Sequence, residues 1–177
     1  MTESVDSELD SKRIGEWIGE HGDAVRGYLR GVVGSFDLID DMFQEVFFRA
    51  WQGRNRYEER GFARSYLLQI ADRVACDRFR RSRPQPTLGD EIWSIADSGA
   101  NANSPSVEAT NAETTRQLNA ALKALTPIQR RALLLRYFGE LSFARIAETI
   151  GCPLNTALSH CHRGLLALRK HFKVDDL

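Results

Sequence analysis

Apolar side chains recur along this chain at intervals of three and four and show no strict alternation, so the pattern predicts helices and no strands. Over residues 12–33 the repeating positions are Ile14, Trp17, Ile18, Val25, Tyr28, Leu29, Val32 and Val33. They fit one helix, or a pair broken at Gly22. Residues 37–52 carry the clearest stripe: Leu38, Ile39, Met42, Phe43, Val46, Phe47, Ala50 and Trp51. Gly53 follows where a glycine serves as a C-terminal cap. The polar segment 54–62 reads as a loop. A third helix is predicted from about Arg64 to Arg81, with Tyr66, Leu67, Ile70, Ala71, Val74, Ala75 and Phe79 facing inward. Pro84 and Pro86 end it.

After Pro84 the chain turns to small, polar and turn-forming residues, the composition of a flexible linker. Its exception is an apolar island, Ile92-Trp93-Ser94-Ile95, of a kind that docks on a neighbouring surface. Helical periodicity resumes near Glu113 with Leu118, Ala121, Leu122 and Leu125. Thr126-Pro127 is a helix start, with a hydroxyl cap followed by proline in the first turn, and Gly139 closes that helix. Ser142 caps a short helix ending near Ile150, Gly151-Cys152-Pro153 forms a tight turn, and Asn155 or Thr156 caps a last helix reaching Lys170. That helix points Ala157, Cys161, Leu165, Leu168 and Phe172 inward. The predicted fold is all-α. Two small helical domains, 12–84 and 113–172, are joined by a flexible linker, 85–112, and the second is a helix-turn-helix. With the linker as the only tie, the domains would vary in relative position. A compact arrangement would count against that and point to Trp93 as a pin.

The formal net charge is zero, but it is unevenly distributed. Residues 1–11 hold four acids and no base, and residues 85–115 five acids and no base. Residues 12–84 hold 14 bases against 11 acids, and residues 116–177 ten bases against four acids. Screening confines these fields to roughly 8 Å at physiological salt, so two basic surfaces survive a neutral total. No run of about 18 apolar residues is present, which excludes membrane insertion. The acidic N-terminus lacks a secretory pattern, and the expected location is the cytoplasm. Three cysteines, Cys76, Cys152 and Cys161, suit reduced thiols better than a disulfide framework.

Residues 142–170 combine a short helix, a glycine turn and a longer polar-faced helix, the arrangement that sets a second helix into the DNA major groove. A plain helical hairpin would show the same spacing. Arg73, Arg78, Arg80, Arg81 and Arg83 gather toward one end of the third helix, near Tyr57, Phe62, Tyr66 and Phe79. Bases attract phosphate and aromatics stack on unpaired bases, although Tyr66 and Phe79 read first as core. Cys152, His160, Cys161 and His162 lack zinc-ligand spacing, since consecutive helical residues face apart. No constellation supports catalysis, so neither an enzyme nor a cofactor is expected.

Three segments resemble a known family. DDMFQEVFFRAW (40–51), IADRVACDRFRRSR (70–83) and LTPIQRRALLLRYFGELSFARIAETIGC (125–152) are similar, in order and spacing, to segments of extracytoplasmic-function (ECF) sigma factors of bacterial RNA polymerase. The resemblance implies that the protein binds core RNA polymerase and promoter DNA and is controlled by an anti-sigma factor. It places polymerase docking on Asp40, Asp41, Gln44, Glu45 and Arg49. It places base capture in the loop 57–65, with Tyr57, Phe62 and Arg64, and minus-ten contacts on Arg73, Asp77, Arg78, Arg80 and Arg81. Minus-thirty-five contacts would fall on Asn155, Thr156, Ser159, His160 and Arg163.

The last helix departs from the family pattern, because Leu158 and His160 stand where basic residues are usual. An unusual promoter element, weak DNA binding, or a protein partner would each account for that. A helix-turn-helix regulator independent of polymerase would leave the resemblance of 40–51 unexplained. A sigma-like decoy with little DNA affinity would account for Leu158 and His160.

Overall fold

The computed structural model describes residues 2–33, 38–57, 61–81 and 117–172, with backbone alone for residues 2–11 and Arg56. The predicted domain boundaries near 84 and 113, Arg83 and the Ile92–Ile95 island lie outside them. Among the described residues there are seven α-helices and no strand.

Helix α1, Thr2–Val33, runs unbroken through Gly22 and begins well before residue 12. The ring of Phe43 packs over Gly22, where a break was one of the two readings. Trp17, Val25, Tyr28, Leu29, Val32 and Val33 are buried as predicted, and Ile18 is exposed. Helix α2, Ile39–Gln52, buries Ile39, Met42, Val46, Phe47 and Ala50. Its first turn carries Asp40 and Asp41 and its last carries Arg49, each sign suited to its end of the helix dipole. A 3₁₀ turn, Arg54–Arg56, leads to α3, Ala63–Arg81. These three helices pack on one another.

Residues 117–123 form α4, followed by α5, Pro127–Gly139. Thr126 caps α5 as expected, within a reciprocal capping box completed by Gln129. The left-handed position at its end falls on Glu140, φ 53°, one residue past the predicted Gly139. Gly139 is needed instead for close approach, because a side chain there would collide with Leu141 and crowd Leu68. Helix α6, Phe143–Ile150, is capped by Ser142, whose hydroxyl accepts from the Arg145 N–H. Gly151 then turns the chain at φ 78°. Helix α7, Leu154–Phe172, starts at the Pro153 carbonyl, which accepts from both Thr156 and Ala157 N–H. Asn155 and Thr156 therefore lie inside the first turn and do not cap it. Ala157 and Cys161 are buried, but Leu165 and Phe172 are exposed, because α7 outruns the shorter α5 and α6.

Helix α5 is the hub. Arg130, Arg131, Ala132, Leu133, Leu134 and Leu135 are consecutive and all buried. A surface helix buries one face; this one is covered all round because it packs on α6 and α7 and also on α1 and α3. Gly27 and Gly31 lie one turn apart on α1. A Cβ at Gly27 would fall 2.5 Å from Phe138, and one at Gly31 would fall 2.7 Å from Leu134, so the two helices approach where α1 has no side chains. The two helical groups are therefore docked on each other through α5.

Replacing Leu135, which is fully buried in the hub, by alanine should cost about 2–5 kcal/mol of stability in urea denaturation followed by circular dichroism. A loss below about 1 kcal/mol would show that α5 is not packed on all sides.

Candidate nucleic-acid interface

Three exposed surfaces carry the predicted site residues. The first is the outer face of α2. Asp40, Asp41 and Gln44 are exposed there and Glu45 is half-buried. Asp40 is ion-paired to Arg26 of α1. Arg49 does not point outward: its guanidinium donates to Glu45 at 2.7 Å and to Asp77 of α3 at 2.8 Å, tying the two helices together. The hydrogen bond to Asp77 is the main reason that Arg49 holds its proton more tightly than usual. Phe48 and Trp51 complete this face, 52% and 37% exposed, with stacked rings 6.3 Å apart and Arg54 over the indole at 4.5 Å. Trp51 belongs to the predicted apolar stripe but is exposed. Phe48 falls outside the predicted stripe, and Trp51 lies three positions on from it, on the same side of α2.

The second surface joins the loop before α3 to the outer face of that helix. Tyr57 is half-buried, packed edge-on to Trp17 and tilted against Tyr66, with both centroid distances 4.8 Å. It anchors the loop, while Phe62, 65% exposed, is its free aromatic. Residues 58–60 lie outside the description. Arg73, Asp77, Arg80 and Arg81 share one face of α3 at i, i+4, i+7 and i+8, and Arg78 lies to its side. All four arginines are exposed, and Asp77 is held by Arg49. Arg64 is engaged elsewhere: its Nε donates to the Phe138 carbonyl at 2.5 Å and its terminal nitrogen to Glu140 at 2.6 Å, both at the end of α5.

The third surface is the outer side of α7. Asn155, Ser159 and Arg163 are exposed, and Thr156 and His160 are half-buried. The Ser159 hydroxyl donates to the Asn155 carbonyl at 2.8 Å. His162, absent from the predicted set, is exposed seven residues after Asn155 and on the same side. Leu158 is 38% exposed beside Leu154 at 47%. No three histidine, cysteine, aspartate or glutamate side chains among the described residues converge as a metal site.

Residues 17–85 match the Sigma-70 region 2 family and residues 115–168 match Sigma-70, region 4. The ECF RNA polymerase sigma factor SigC of Mycobacterium tuberculosis is 36% identical over 140 residues, 78% of this chain and 72% of SigC. The ECF sigma factor SigX of Bacillus subtilis is 31% identical over 149 residues, 83% of this chain and 77% of SigX. The protein belongs to the ECF sigma factors. Its fold is also similar to that of RpoE in its complex with the anti-sigma factor NepR from Bartonella quintana, with TM-score 0.71 and 20% identity over 93% of this chain and 99% of that one. As an ECF sigma factor it is an initiation factor for RNA polymerase that acts on promoter DNA.

Within this sigma factor, one polar cluster lies in the interior between the two helical groups. Asp72 of α3 is fully buried and receives both arms of Arg131 from α5, at 2.8 and 2.7 Å, and the Tyr28 hydroxyl from α1, at 2.5 Å. Burial, and then the negative charge of Asp72, push the Tyr28 hydroxyl well above its ordinary pKa. Burial works to strip the proton from Arg131, but the bonds and charge of Asp72 outweigh it and raise its pKa. Nothing in the periodic pattern marked Asp72 or Arg131.

Burial, and then Asp72, also raise the nearby Cys76 thiol from 9.0 to about 11. At pH 8 its thiolate fraction, and so its iodoacetamide alkylation, should be on the order of 100-fold lower in the folded protein than in urea. Between pH 9 and 11 the folded state holds a proton that the unfolded chain has released, so stability should fall across that window. Alkylation at the unfolded rate would contradict the partly buried placement of Cys76 beside Asp72.

Proposed function

We propose that the three surfaces divide the work of initiation. The outer face of α2, with Asp40, Asp41, Gln44 and Glu45 beside Phe48 and Trp51, docks on core RNA polymerase. Carboxylates around an exposed aromatic pair suit a basic partner surface with an apolar centre. Arg49 supports this face from behind. Phe62, Arg64, Arg73, Arg78, Arg80 and Arg81 take the minus-ten region, with arginines on phosphate and the phenyl ring on an unstacked base. Tyr57 and Asp77 position that surface through Trp17, Tyr66 and Arg49. Asn155, Thr156, Ser159, His160 and Arg163 face the minus-thirty-five element. The observation that carries the reading is the separation of an acidic-aromatic face on α2 from an arginine face on α3 within one three-helix unit.

An anti-sigma factor controls the protein in this reading, which the similarity to a sigma factor solved with its anti-sigma factor supports. No helix among the described residues is long and apolar enough to cross a membrane. The reading places the factor's work in the cytoplasm, beside polymerase and DNA. The domain limits proposed are 12–84 and 113–172, joined by 85–112. A protein contact at the C-terminal unit is a second reading, favoured by the exposed pair Leu154 and Leu158.

Run-off transcription with core polymerase on a panel of promoter fragments tests the proposal. Protein-dependent transcripts from defined starts are expected, and their absence together with no binding to core polymerase would contradict it. Asp41→Ala with Gln44→Ala, or Phe48→Ala with Trp51→Ala, should weaken core binding at least about tenfold, as loss of interface anchors does. Arg80→Ala should leave core binding intact and lower the salt slope of promoter binding by about 1.

A further inference from the structure

Helix α7 is held at one rotation about its axis. Ala157, Cys161 and Gly164 are buried, and a Cβ at Gly164 would fall 2.7 Å from Leu133, so this side lies flush against α5. The first turns of α7 therefore present Asn155, Leu158, Ser159 and His162 outward, three and four positions apart on one continuous exposed face. From Asn155 to His162 the helix rises roughly 10 Å at about 1.5 Å per residue. That is the length of about three base-pair steps.

The chemistry of this face is neutral at its centre. Arg163 borders it, Arg169 and Lys170 come only in the last turn, and no carboxylate occurs anywhere in α7. Leu158 is 38% exposed, three positions after Asn155 and four before His162. A leucine offers a phosphate nothing; what it can recognise on a base edge is apolar surface. In the major groove that surface is the 5-methyl group of thymine. The neighbouring Ser159 hydroxyl spends its proton on the Asn155 carbonyl at 2.8 Å, which leaves its oxygen to accept. Adenine supplies the matching donor at N6, so A·T pairs carry both groups. Polar neighbours on either side of Leu158 and the lack of any carboxylate suit a polyanionic duplex better than an apolar protein groove.

We propose that Leu158 is a specificity-determining residue that reads thymine 5-methyl groups in the upstream promoter element, a role that rests on the reading of α7 as the helix facing the minus-thirty-five element. The element is then selected by base contacts more than by phosphate charge. One methyl group buried under Leu158 is worth about fourfold in affinity. Leu158→Lys adds a phosphate contact, steepens the salt slope by about 1 and loses the methyl discrimination.

Holoenzyme formed from the full chain and core polymerase selects from duplexes randomised over the upstream element of a fragment that it transcribes. Deoxyuridine then replaces each selected thymine in turn, which removes the methyl group and keeps every hydrogen-bonding group. Expected is an invariant A·T pair at which the replacement weakens wild-type binding about fourfold and Leu158→Ala binding by less than about 1.5-fold. A selected element without thymine, a wild type indifferent to deoxyuridine, or a Leu158→Ala variant that responds as the wild type does overturns methyl readout and leaves the sigma reading intact. Weaker core binding by Leu158→Ala with no response to deoxyuridine also overturns it, and moves Leu158 to a protein contact. No transcript from any fragment, together with no binding to core polymerase, overturns the sigma reading and the methyl readout with it.

Discussion

A single carboxylate organises this molecule. Asp72 is fully buried, and it persists there because Arg131 meets both of its oxygens and Tyr28 meets one. A buried ion pair of this kind adds little net stability, since desolvation of two charges offsets their attraction. Its effect is on register. Any other seating of α5 on α1 and α3 leaves a charge unpaired in the interior, at a cost of about 3–5 kcal/mol. The apolar contacts around it are non-directional, so the pair selects one seating among many that Leu134, Leu135 and Phe138 would tolerate.

From that seating follow the other features between the two helical groups. Gly27 and Gly31 lower the helix propensity of α1 by about 1 kcal/mol each relative to alanine, and the close packing of Leu134 and Phe138 offsets it. Arg130, beside Arg131, turns the other way and donates to the Leu122 and Lys123 carbonyls, satisfying the end of α4. Adjacent arginines on one helix thus serve different neighbours, one within the C-terminal group and one across to α3. The outer faces of α2, α3 and α7 remain exposed for partners.

The periodic pattern predicted α2, α3, the Thr126 and Ser142 caps and the helix-turn-helix, because each depends on neighbours within a few positions. The resemblance to ECF sigma factors assigned Asp41, Gln44, Arg73, Arg80, Ser159 and Arg163 to partner surfaces, and all six are exposed. What the pattern missed depends on distant partners. Asp72 reads as a solvated residue until its partner, 59 positions away, is known. The uninterrupted buried run Arg130–Leu135 has meaning only once α1 and α3 cover its second side. The bonds of Arg64 to the end of α5 and of Arg49 to Asp77 on α3 likewise join residues far apart in the chain. One local signal was available: glycines four apart in α1, which marked a close helix crossing.

The measurement closest to this account is a double-mutant cycle on Asp72→Asn and Arg131→Met, with the docking free energy read from urea-dependent energy transfer between dyes on α2 and α7. A specific charge pair predicts single variants that each undock readily, a double variant that recovers much of the loss, and a coupling above about 2 kcal/mol. Additive effects within about 0.5 kcal/mol would show that apolar packing alone seats α5 and that Asp72 does not organise the fold.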